Sequence, residues 1–462
     1  MQSIKTWAQS QEPRLIADLS SLVRIRSISQ AQEGPHPYGE GCAHVLDAAL
    51  ALAQGYGLET ENHEYYCGSV LLRGETDKEL AIATHLDVVP ENTGWYNPPY
   101  EPYVKDGWLY GRGSADNKGA SVASLYVLRY FREHNIRLRH TLRLIYGCAE
   151  ETGMSDMVYY LDHHAAPSFV LVPDAGLPAV YAEKAGFNAI FSCPISGNLV
   201  SFDAGSSTDC LPAHACAVLS GVSLHKAQAA LCGMAHITVS AHDKGVQVSA
   251  EGVTAHAAFP ERGRSAAATL AQALINADLC TDEVQSVLAF IAAFEAYDGS
   301  RLGIACTDEL SGALSIAGTL IRTQDGQLIH HMNARGPVTI PPESVYETLC
   351  TSAAALGFKP VSRSFRKGSF VSPEHPVIPL LTRYAQEAHG IPMEPYTMGG
   401  GTYARMFPNA IASGFGLPKQ KKPCPHGHGG GHQPDECVSL TNLKNGIAIY
   451  AKTLMDLDKL LD

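Results

Sequence analysis

The chain has 462 residues, and a prior of roughly 150 residues per domain predicts two large domains or about three ordinary ones. Its hydrophobic content of 45% and charged content of 17% are typical of a globular protein with a sizeable core and exclude a largely disordered chain. The formal net charge of -12 argues against nucleic acid and anionic membrane surfaces as partners, because phosphate binding depends on clustered Lys and Arg.

The opening segment and the cysteines bear on where the protein acts. Residues 1–29 carry charged side chains such as Glu12 and Arg14 among apolar ones, so they are predicted to form an amphipathic helix rather than a signal peptide. No apolar run reaches the 18 or so residues of a membrane span. The twelve cysteines include no CxxC motif, which favours reduced, mostly buried thiols. We therefore expect a cytoplasmic protein whose metal, if it has one, is bound by histidines and carboxylates.

Helical and strand patterns alternate along roughly the first 180 residues. Helical periodicity is found at 15–23, 42–54 and 118–131, and apolar strand patterns at 80–83, 141–146 and 169–172. This alternation predicts an α/β fold with a mostly parallel sheet. Each strand runs into a polar cluster, which is where active sites of open α/β sheets lie.

The pattern changes between about residues 186 and 370. Alternating stretches, HITVSAH and GVQVSAEG, lie between alanine-rich helical windows at 265–277 and 343–356. After about residue 376 the α/β character resumes, and it finishes with an amphipathic helix at about 439–461. The sequence therefore predicts one domain formed by 1–185 and 371–462 and an α+β domain inserted at 186–370.

The polar clusters after the predicted strands contain the candidate chemistry. His85 and Asp87 share one face at a strand end, and a carboxylate next to an imidazole is a common partner of a metal-binding histidine. Glu150 and Glu151 point in different directions, so one can bind metal while the other moves protons. Asp116 follows a glycine-rich turn immediately before a helix.

Each cluster alone has an ordinary explanation, namely a surface histidine beside an acid, a helix-capping aspartate or a solvated acidic loop. A fourth acid, Asp174, also follows a strand of the same sheet, so coincidence becomes a poor explanation for the whole set. Two divalent cations bridged by one carboxylate, which activate a water between them, are the chemistry that such a set favours.

At these residues the sequence resembles the M20 metallopeptidase family and, within it, the PepV-like dipeptidases. The matching runs extend from residue 83 to residue 436: ATHLDVVP, WLYGRGSADNKG, CAEETG, VPDAG, GVTAHAAFPERG, GGGTYAR and GHQPDE. The resemblance covers nearly the whole chain, and the order and separation of the runs make it specific. It implies a catalytic domain that carries an inserted lid, with small peptides as substrates.

The resemblance implies a role for each metal ligand. His85 and Asp174 would bind the first cation, Glu151 and His432 the second, and Asp116 would bridge the two. Zinc is the first expectation for both cations, with manganese and cobalt as alternatives.

The same resemblance nominates residues that act without binding metal. Asp87 would orient His85, and Glu150 would act as the general base that takes a proton from the bridging water. In the lid, His256 would stabilise the oxyanion and Arg335 would bind the substrate carboxylate through its guanidinium fork.

The glycine-rich run and two departures complete the predicted site. Gly400, Gly401 and Thr402 would form a wall of the substrate pocket. Asp209 stands where the resemblance predicts an asparagine, and an ionised carboxylate cannot donate the amide hydrogen bond. The loop before His432 also carries His426 and His428, which are alternative ligands at that position.

The favoured function is hydrolysis of free dipeptides by a metal-activated water. Deacylation of N-acyl amino acids, of the acetylornithine or succinyl-diaminopimelate type, uses the same metal chemistry and is the alternative within hydrolases. An inactive relative that binds peptide or metal is the alternative outside them. The large inserted domain, which would supply His256 within one chain, favours a monomer.

Overall fold

The computed structural model describes residues 1–91, 93–418 and 420–461. These residues belong to two compact units, the first formed by Met1–Tyr181, Phe370–Tyr396 and Gly401–Asp462 and the second by Ala182–Ser369 and Thr397–Gly400. The α-helices are α1 (Gln2–Ser10), α2 (Glu12–Val23), α3 (Glu40–Gly55), α4 (Lys118–Glu133), α5 (Ser155–His163), α6 (Leu224–Ala230), α7 (Ala266–Asn276), α8 (Asp282–Ala293), α9 (Pro342–Ala355), α10 (Val377–His389) and α11 (Leu440–Leu457). The strands are β1 (Glu59–His63), β2 (Cys67–Leu72), β3 (Thr76–His85), β4 (Tyr103–Lys105), β5 (Trp108–Tyr110), β6 (His140–Gly147), β7 (Phe169–Pro173), β8 (Val180–Glu183), β9 (Ala185–Pro194), β10 (Leu199–Ala204), β11 (His214–Leu219), β12 (Ile237–His242), β13 (Gly245–Glu251), β14 (Thr307–Asp308), β15 (Gly312–Ala313), β16 (Ser315–Gln324), β17 (Gln327–Gly336), β18 (Lys359–Arg366), β19 (Ser369–Phe370), β20 (Tyr396–Met398), β21 (Ala410–Ser413) and β22 (Cys437–Ser439).

The first unit is built around a mixed sheet in which the strands run in the order β1-β2-β6-β3-β7-β21. The pairs β3–β6, β3–β7 and β7–β21 are parallel, whereas β1, β2 and β6 pair antiparallel at one edge. Every residue of β6 and β7 is buried, as expected for central strands that are covered on both faces. The α/β class predicted from the sequence is confirmed, with the parallel strands at the centre of the sheet.

The helices of the first unit agree closely with the periodic windows of the sequence. The windows at 15–23, 42–54 and 118–131 lie within α2, α3 and α4. The single amphipathic helix predicted for the opening segment is in fact two helices, α1 and α2, and Pro13 lies in the first turn of α2, where its missing N–H costs little.

The second unit contains an eight-stranded antiparallel sheet in the order β12-β13-β11-β10-β16-β17-β9-β18. The stretches HITVSAH and GVQVSAEG form β12 and β13, and the alanine-rich windows form α7 and α9. Alternate residues of the sheet, such as Phe187, Phe191 and Met332, pack with these helices in one hydrophobic core. This unit is therefore α+β, as the sequence predicts.

In the part of the chain that the structure describes, no helix combines the length and apolar content needed to cross a membrane.

Candidate metal centre

The candidate ligands lie where the parallel strands of the first unit end. His85 is the last residue of β3, Glu150 and Glu151 follow β6, and Asp174 follows β7. Asp116 lies two residues before α4. Because parallel strands present their carboxyl ends at one edge of the sheet, residues that are far apart in sequence meet there.

Ligand atoms of His85, Glu150 and Asp174 all lie within 4.8 Å of one another, and the same holds for His85, Asp116 and Glu151. Asp116 links the two halves of the cluster. Its Oδ1 is 3.2 Å from His85 Nε2, and its Oδ2 is 3.3 Å from His432 Nε2.

Each histidine has a further carboxylate on its own side of the cluster. His432 Nε2 is 2.8 Å from Glu151 Oε1, and His85 Nε2 is 3.7 Å from Asp174 Oδ2. Imidazole nitrogens and carboxylate oxygens are ligands that zinc, manganese and cobalt accept. The donor set therefore fits two divalent cations, with one Asp116 oxygen available to each.

Removal from water and mutual repulsion disfavour negative charge on three of the carboxylates. Burial, followed by the charge of Asp174, raises the pKa of Glu150 well above its ordinary value. Burial also raises the pKa of Glu151, and it raises the pKa of Asp174 to about 6. Bound cations would offset this repulsion, so cation binding and proton release are coupled at the cluster.

At Asp116 and the two histidines, by contrast, the surroundings favour the charged form: the pKa of Asp116 is lowered and those of the histidines are raised. Burial alone would raise the pKa of Asp116, but hydrogen bonds with His432 and His85 lower it. The carboxylates raise the pKa of His432 to about 11, chiefly through the hydrogen bonds with Asp116 and Glu151. Burial opposes protonation of His85, yet the charge of Asp174 raises its pKa well above the usual value.

Asp87 contacts two parts of the cluster, the His85 ring and the backbone of Glu150 and Glu151. Its main-chain oxygen is 3.0 Å from His85 Nδ1, and its carboxylate Oδ1 is 3.4 Å from the same nitrogen. The two carboxylate oxygens also accept hydrogen bonds from the backbone amides of Glu150 (3.2 Å) and Glu151 (3.1 Å). The sequence indicates the first contact but not the second, because the second depends on how the loop after β6 folds back.

Glu436 and Arg112 form a fully buried pair that sequence reasoning did not single out. The Glu436 carboxylate accepts from the Arg112 guanidinium at 2.7 Å and from the backbone amides of Gly113, Ala115 and Asp116 at 2.8–3.0 Å. Both residues fall inside the motif runs GRGSADNKG and GHQPDE, which was the available signal. Their effect is to hold the turn that presents Asp116.

Asn117 and Asp156 were also missed, and each fixes one side of the cluster. Asn117 Nδ2 donates to Asp174 Oδ1 at 2.9 Å and to the Pro173 carbonyl at 3.0 Å. Asp156 accepts from the backbone amides of Cys148 (2.7 Å) and Ala149 (2.8 Å) and from the Tyr403 hydroxyl. These backbone groups lead directly into Glu150.

The residues predicted to act from the lid, Asp209, His256 and Arg335, lie in the second unit and form contacts within it. His256 is exposed, its Nδ1 accepts from the Ala258 amide at 3.1 Å, and its backbone forms an isolated bridge with Cys210. Arg335 is 8% exposed, and its Nε donates to Asn333 Oδ1 at 2.9 Å. Asp209 accepts from the Ser207 hydroxyl.

The remaining predicted residues are divided between the units. Gly400 belongs to the second unit, whereas Gly401 and Thr402 belong to the first. Thr402 is buried, and its Oγ1 accepts from the Ala404 amide at 3.1 Å. His428 Nδ1 lies 2.6 Å from Asp435 Oδ2, whereas His432 Nε2 lies beside the carboxylates of Glu151 and Asp116.

Comparisons with known proteins bear on this centre. The model of peptidase family M20/M25/M40 matches residues 81–456. The protein YtjP of Bacillus subtilis (strain 168) is 28% identical over 461 residues, which cover 96% of this chain and 97% of YtjP. The beta-Ala-Xaa dipeptidase of Lactobacillus delbrueckii subsp. lactis is 28% identical over 477 residues, which cover 99% of this chain and 98% of that enzyme.

The fold is shared with solved structures at low identity. Human carnosine dipeptidase 1 superposes with a TM-score of 0.60 at 14% identity and covers 99% of this chain and 98% of its own. The family predicted from the motif runs is confirmed by the match over most of the chain, which includes every residue of the cluster. This chain belongs to peptidase family M20/M25/M40.

Proposed function

We propose that the chain is a metal-dependent dipeptidase that hydrolyses the peptide bond of free dipeptides. The observation that carries the proposal is the Asp116 carboxylate, which turns one oxygen toward each histidine of the cluster, with Glu150 alongside. The likeness to the beta-Ala-Xaa dipeptidase, which extends over nearly the whole of both chains, supports dipeptides as the substrate class.

The proposed ligands are His85 and Asp174 for one cation, Glu151 and His432 for the other, and Asp116 for both. Two divalent cations, zinc in the first instance and manganese or cobalt otherwise, would polarise the scissile carbonyl and acidify a bound water. No nucleophilic side chain is then required.

Glu150 is the proposed general base. Burial and the negative charge of Asp174 raise its pKa well above the ordinary value, so its carboxylate has a high affinity for a proton. A base of this kind can accept the proton of the attacking water and return it to the leaving amine. The backbone amide of Glu150 is held by Asp87, which limits how far this carboxylate can move from the cluster.

The proposed roles of the second-unit residues rest on the resemblance of their motifs. We propose that 1–185 and 371–462 form the catalytic domain and that 186–370 form its lid. Within the lid, His256 would stabilise the oxyanion and Arg335 would bind the substrate carboxylate. Gly400, Gly401 and Thr402 would line the pocket. Asp209, which hydrogen bonds to Ser207, would contribute as an acceptor rather than as an amide donor.

We also propose that the protein acts in the cytoplasm as a monomer. All twelve cysteines are free thiols, which is typical of reducing compartments. Light scattering of the purified chain tests the monomer, because a dimer would double the measured mass.

The first experiment is hydrolysis of free dipeptides, N-acetyl dipeptides, tripeptides and N-acyl amino acids with added zinc or manganese and with a chelator. We expect metal-dependent cleavage of free dipeptides only. Preference for N-acyl amino acids would assign the chain to deacylation instead, and no turnover with any metal would contradict both activities.

Glu150→Gln tests the base separately from the ligands. We expect kcat to fall by about 10²- to 10⁴-fold, which is the usual contribution of a general base, while two cations remain bound. Glu151→Gln is the matched control, since we expect it to lose one cation as well as activity. Metal content by mass spectrometry checks both variants, and near-normal turnover by Glu150→Gln would remove Glu150 from its proposed role.

A further inference from the structure

The loop that carries His432 begins and ends at a cysteine. We call residues 424–437 the histidine loop; Cys424 opens it, and Cys437 closes it as the first residue of β22. The two Sγ atoms are 3.9 Å apart. His432 lies between them in sequence, and Glu436 immediately precedes the second cysteine.

The backbone of the loop holds the two thiols in this position. The Gly429 carbonyl accepts from the Cys437 amide at 3.2 Å, and the Gly429 amide donates to the Pro434 carbonyl at 2.9 Å. Gly429 has a φ of +87°, and a Cβ added there would lie 2.9 Å from Cys424 Sγ. A glycine at this position therefore leaves room for the Cys424 thiol beside that of Cys437.

The two thiols differ in their access to solvent. Cys437 is 1% exposed, whereas Cys424 is half-buried and is followed by the exposed residues 425–427. A small reagent can thus reach Cys424 first, and Cys437 is then the nearby thiol that can react with the product.

We propose that Cys424 and Cys437 are a modification site, at which a reversible disulfide links the two ends of the histidine loop. The oxidant is a low-molecular-weight disulfide. The Cys424 thiolate attacks one of its sulfurs, the S–S bond of the reagent breaks, and one thiol leaves with the proton lost by Cys424. The Cys437 thiolate then attacks the Cys424 sulfur, and the second reagent thiol leaves with the proton of Cys437. Two protein thiols are oxidised, and one disulfide is reduced to two thiols.

The step requires only a small movement. A disulfide has an S–S length of about 2.0 Å, so the sulfurs must approach by roughly 1.9 Å. Cys437 is held by its strand, where it pairs with Tyr110 of β5, so Cys424 and the loop residues next to it make most of the adjustment.

This disulfide has a consequence for metal binding, and that consequence rests on the proposed function. Closing the ring limits the conformations that the loop can adopt when His432 leaves Glu151 and Asp116. The oxidised chain would therefore lose the cation held by His432 more slowly than the reduced chain does.

The test uses the purified full chain equilibrated anaerobically with mixtures of oxidised and reduced glutathione, followed by thiol alkylation and peptide mass mapping. We expect Cys424 and Cys437 to be recovered as one linked peptide that disappears on reduction. Glutathione on Cys424 beside an alkylated Cys437 would overturn the proposal. So would two free thiols under conditions in which the exposed Cys232 of the second unit carries glutathione.

Two variants separate the steps of the reaction. The Cys437 thiol donates to the Gly429 carbonyl at 3.7 Å, and the hydroxyl of Cys437→Ser can replace it as donor. Cys437→Ser should stop at glutathione on Cys424, and Cys424→Ser should leave Cys437 as a thiol. Either variant is sufficient if the other does not fold, and a linked peptide that persists in both would overturn the assignment of the pair.

Zinc release to a chelator tests the consequence. We expect zinc release from the oxidised chain to be about tenfold slower than from the reduced chain, because closing the loop restricts its conformations. In Cys424→Ser, which cannot form the disulfide, we expect the two release rates to be equal. Equal rates in the wild type would overturn the effect on His432. A chain that binds none of zinc, manganese and cobalt in either state would contradict the proposed function while leaving the peptide mapping as the test of the disulfide.

Discussion

Asn117 shows how one side chain connects two parts of the cluster of candidate metal ligands. It follows Asp116 in sequence, and its amide group donates to Asp174 Oδ1 and to the Pro173 carbonyl. Because the side chain is 1% exposed, water cannot readily replace these bonds. Asn117 therefore orients Asp174 from the residue next to Asp116, the proposed bridging carboxylate.

Replacing Asn117 with alanine should weaken metal binding without removing a ligand. We expect the affinity for one of the two cations to fall by about 10- to 100-fold, which is the usual effect of losing a residue that orients a ligand. Competition with a chelating dye measures it. Asn442→Ala is the matched control, because the Asn442 amide donates to Gln420 and not to a ligand. Unchanged affinity in Asn117→Ala would contradict this role.

Glu436 connects two elements: it immediately precedes β22, and its carboxylate hydrogen bonds to the turn before α4. Its carboxylate accepts four hydrogen bonds from the segment 112–116, which contains Arg112 and the backbone of Asp116. Both members of the ion pair are almost fully buried. The position of Asp116 therefore depends on a residue more than 300 positions later in the chain.

Glu436→Gln should destabilise the first unit. The change leaves the Arg112 charge buried without its counter-charge, and breaking such a pair costs about 3–5 kcal/mol. Urea denaturation followed by tryptophan fluorescence measures the free energy of unfolding. Glu91→Gln is the control, because its partner Arg26 is largely exposed and surface pairs contribute about 0–1 kcal/mol. Equal losses in the two variants would contradict the argument.

His330 links the stability of the whole molecule to pH through the core of the second unit. Its ring lies 4.8 Å from that of Phe294 and 5.9 Å from that of Phe290, and the residue is 1% exposed. Burial in this apolar surrounding lowers the pKa of His330 to about 3. At neutral pH the imidazole is therefore uncharged in the folded chain.

The sign of the pH dependence follows from this lowered pKa. Below the ordinary histidine pKa of about 6.5 the unfolded chain binds a proton that the folded chain does not, so stability falls as the pH decreases toward about 3. Between pH 7 and pH 5 the loss from His330 alone should be about 2 kcal/mol. Between pH 7 and pH 5, we therefore expect His330→Phe to lose about 2 kcal/mol less stability than the wild type does.

Hydrogen–deuterium exchange of β17 peptides at both pH values, corrected for intrinsic exchange rates, measures this difference. The exposed His225, replaced by phenylalanine, is the control and should leave the pH dependence unchanged. If His330→Phe and the wild type lose equal stability between pH 7 and pH 5, the buried neutral histidine is not the cause.

By itself the sequence determined the local elements and the ends of the strands where chemistry lies. The periodicity that buries one face of a helix or both faces of a central strand is written in neighbouring residues, so α4, β6 and β7 were predicted to within a few residues. The motif runs also predicted the family, because their order along the chain is visible without any coordinates.

Only the tertiary structure decided which side chains meet and what supports them. Whether Asp116 turns one oxygen to His85 and the other to His432 depends on a turn held by Glu436, and neither spacing nor periodicity encodes that contact. The same applies to Asn117 beside Asp174 and to Cys424 beside Cys437, which lie on separate elements or at the two ends of a loop. Local patterns reflect the balance of burial along one element, whereas a site reflects contacts between distant elements, and only the folded chain determines these.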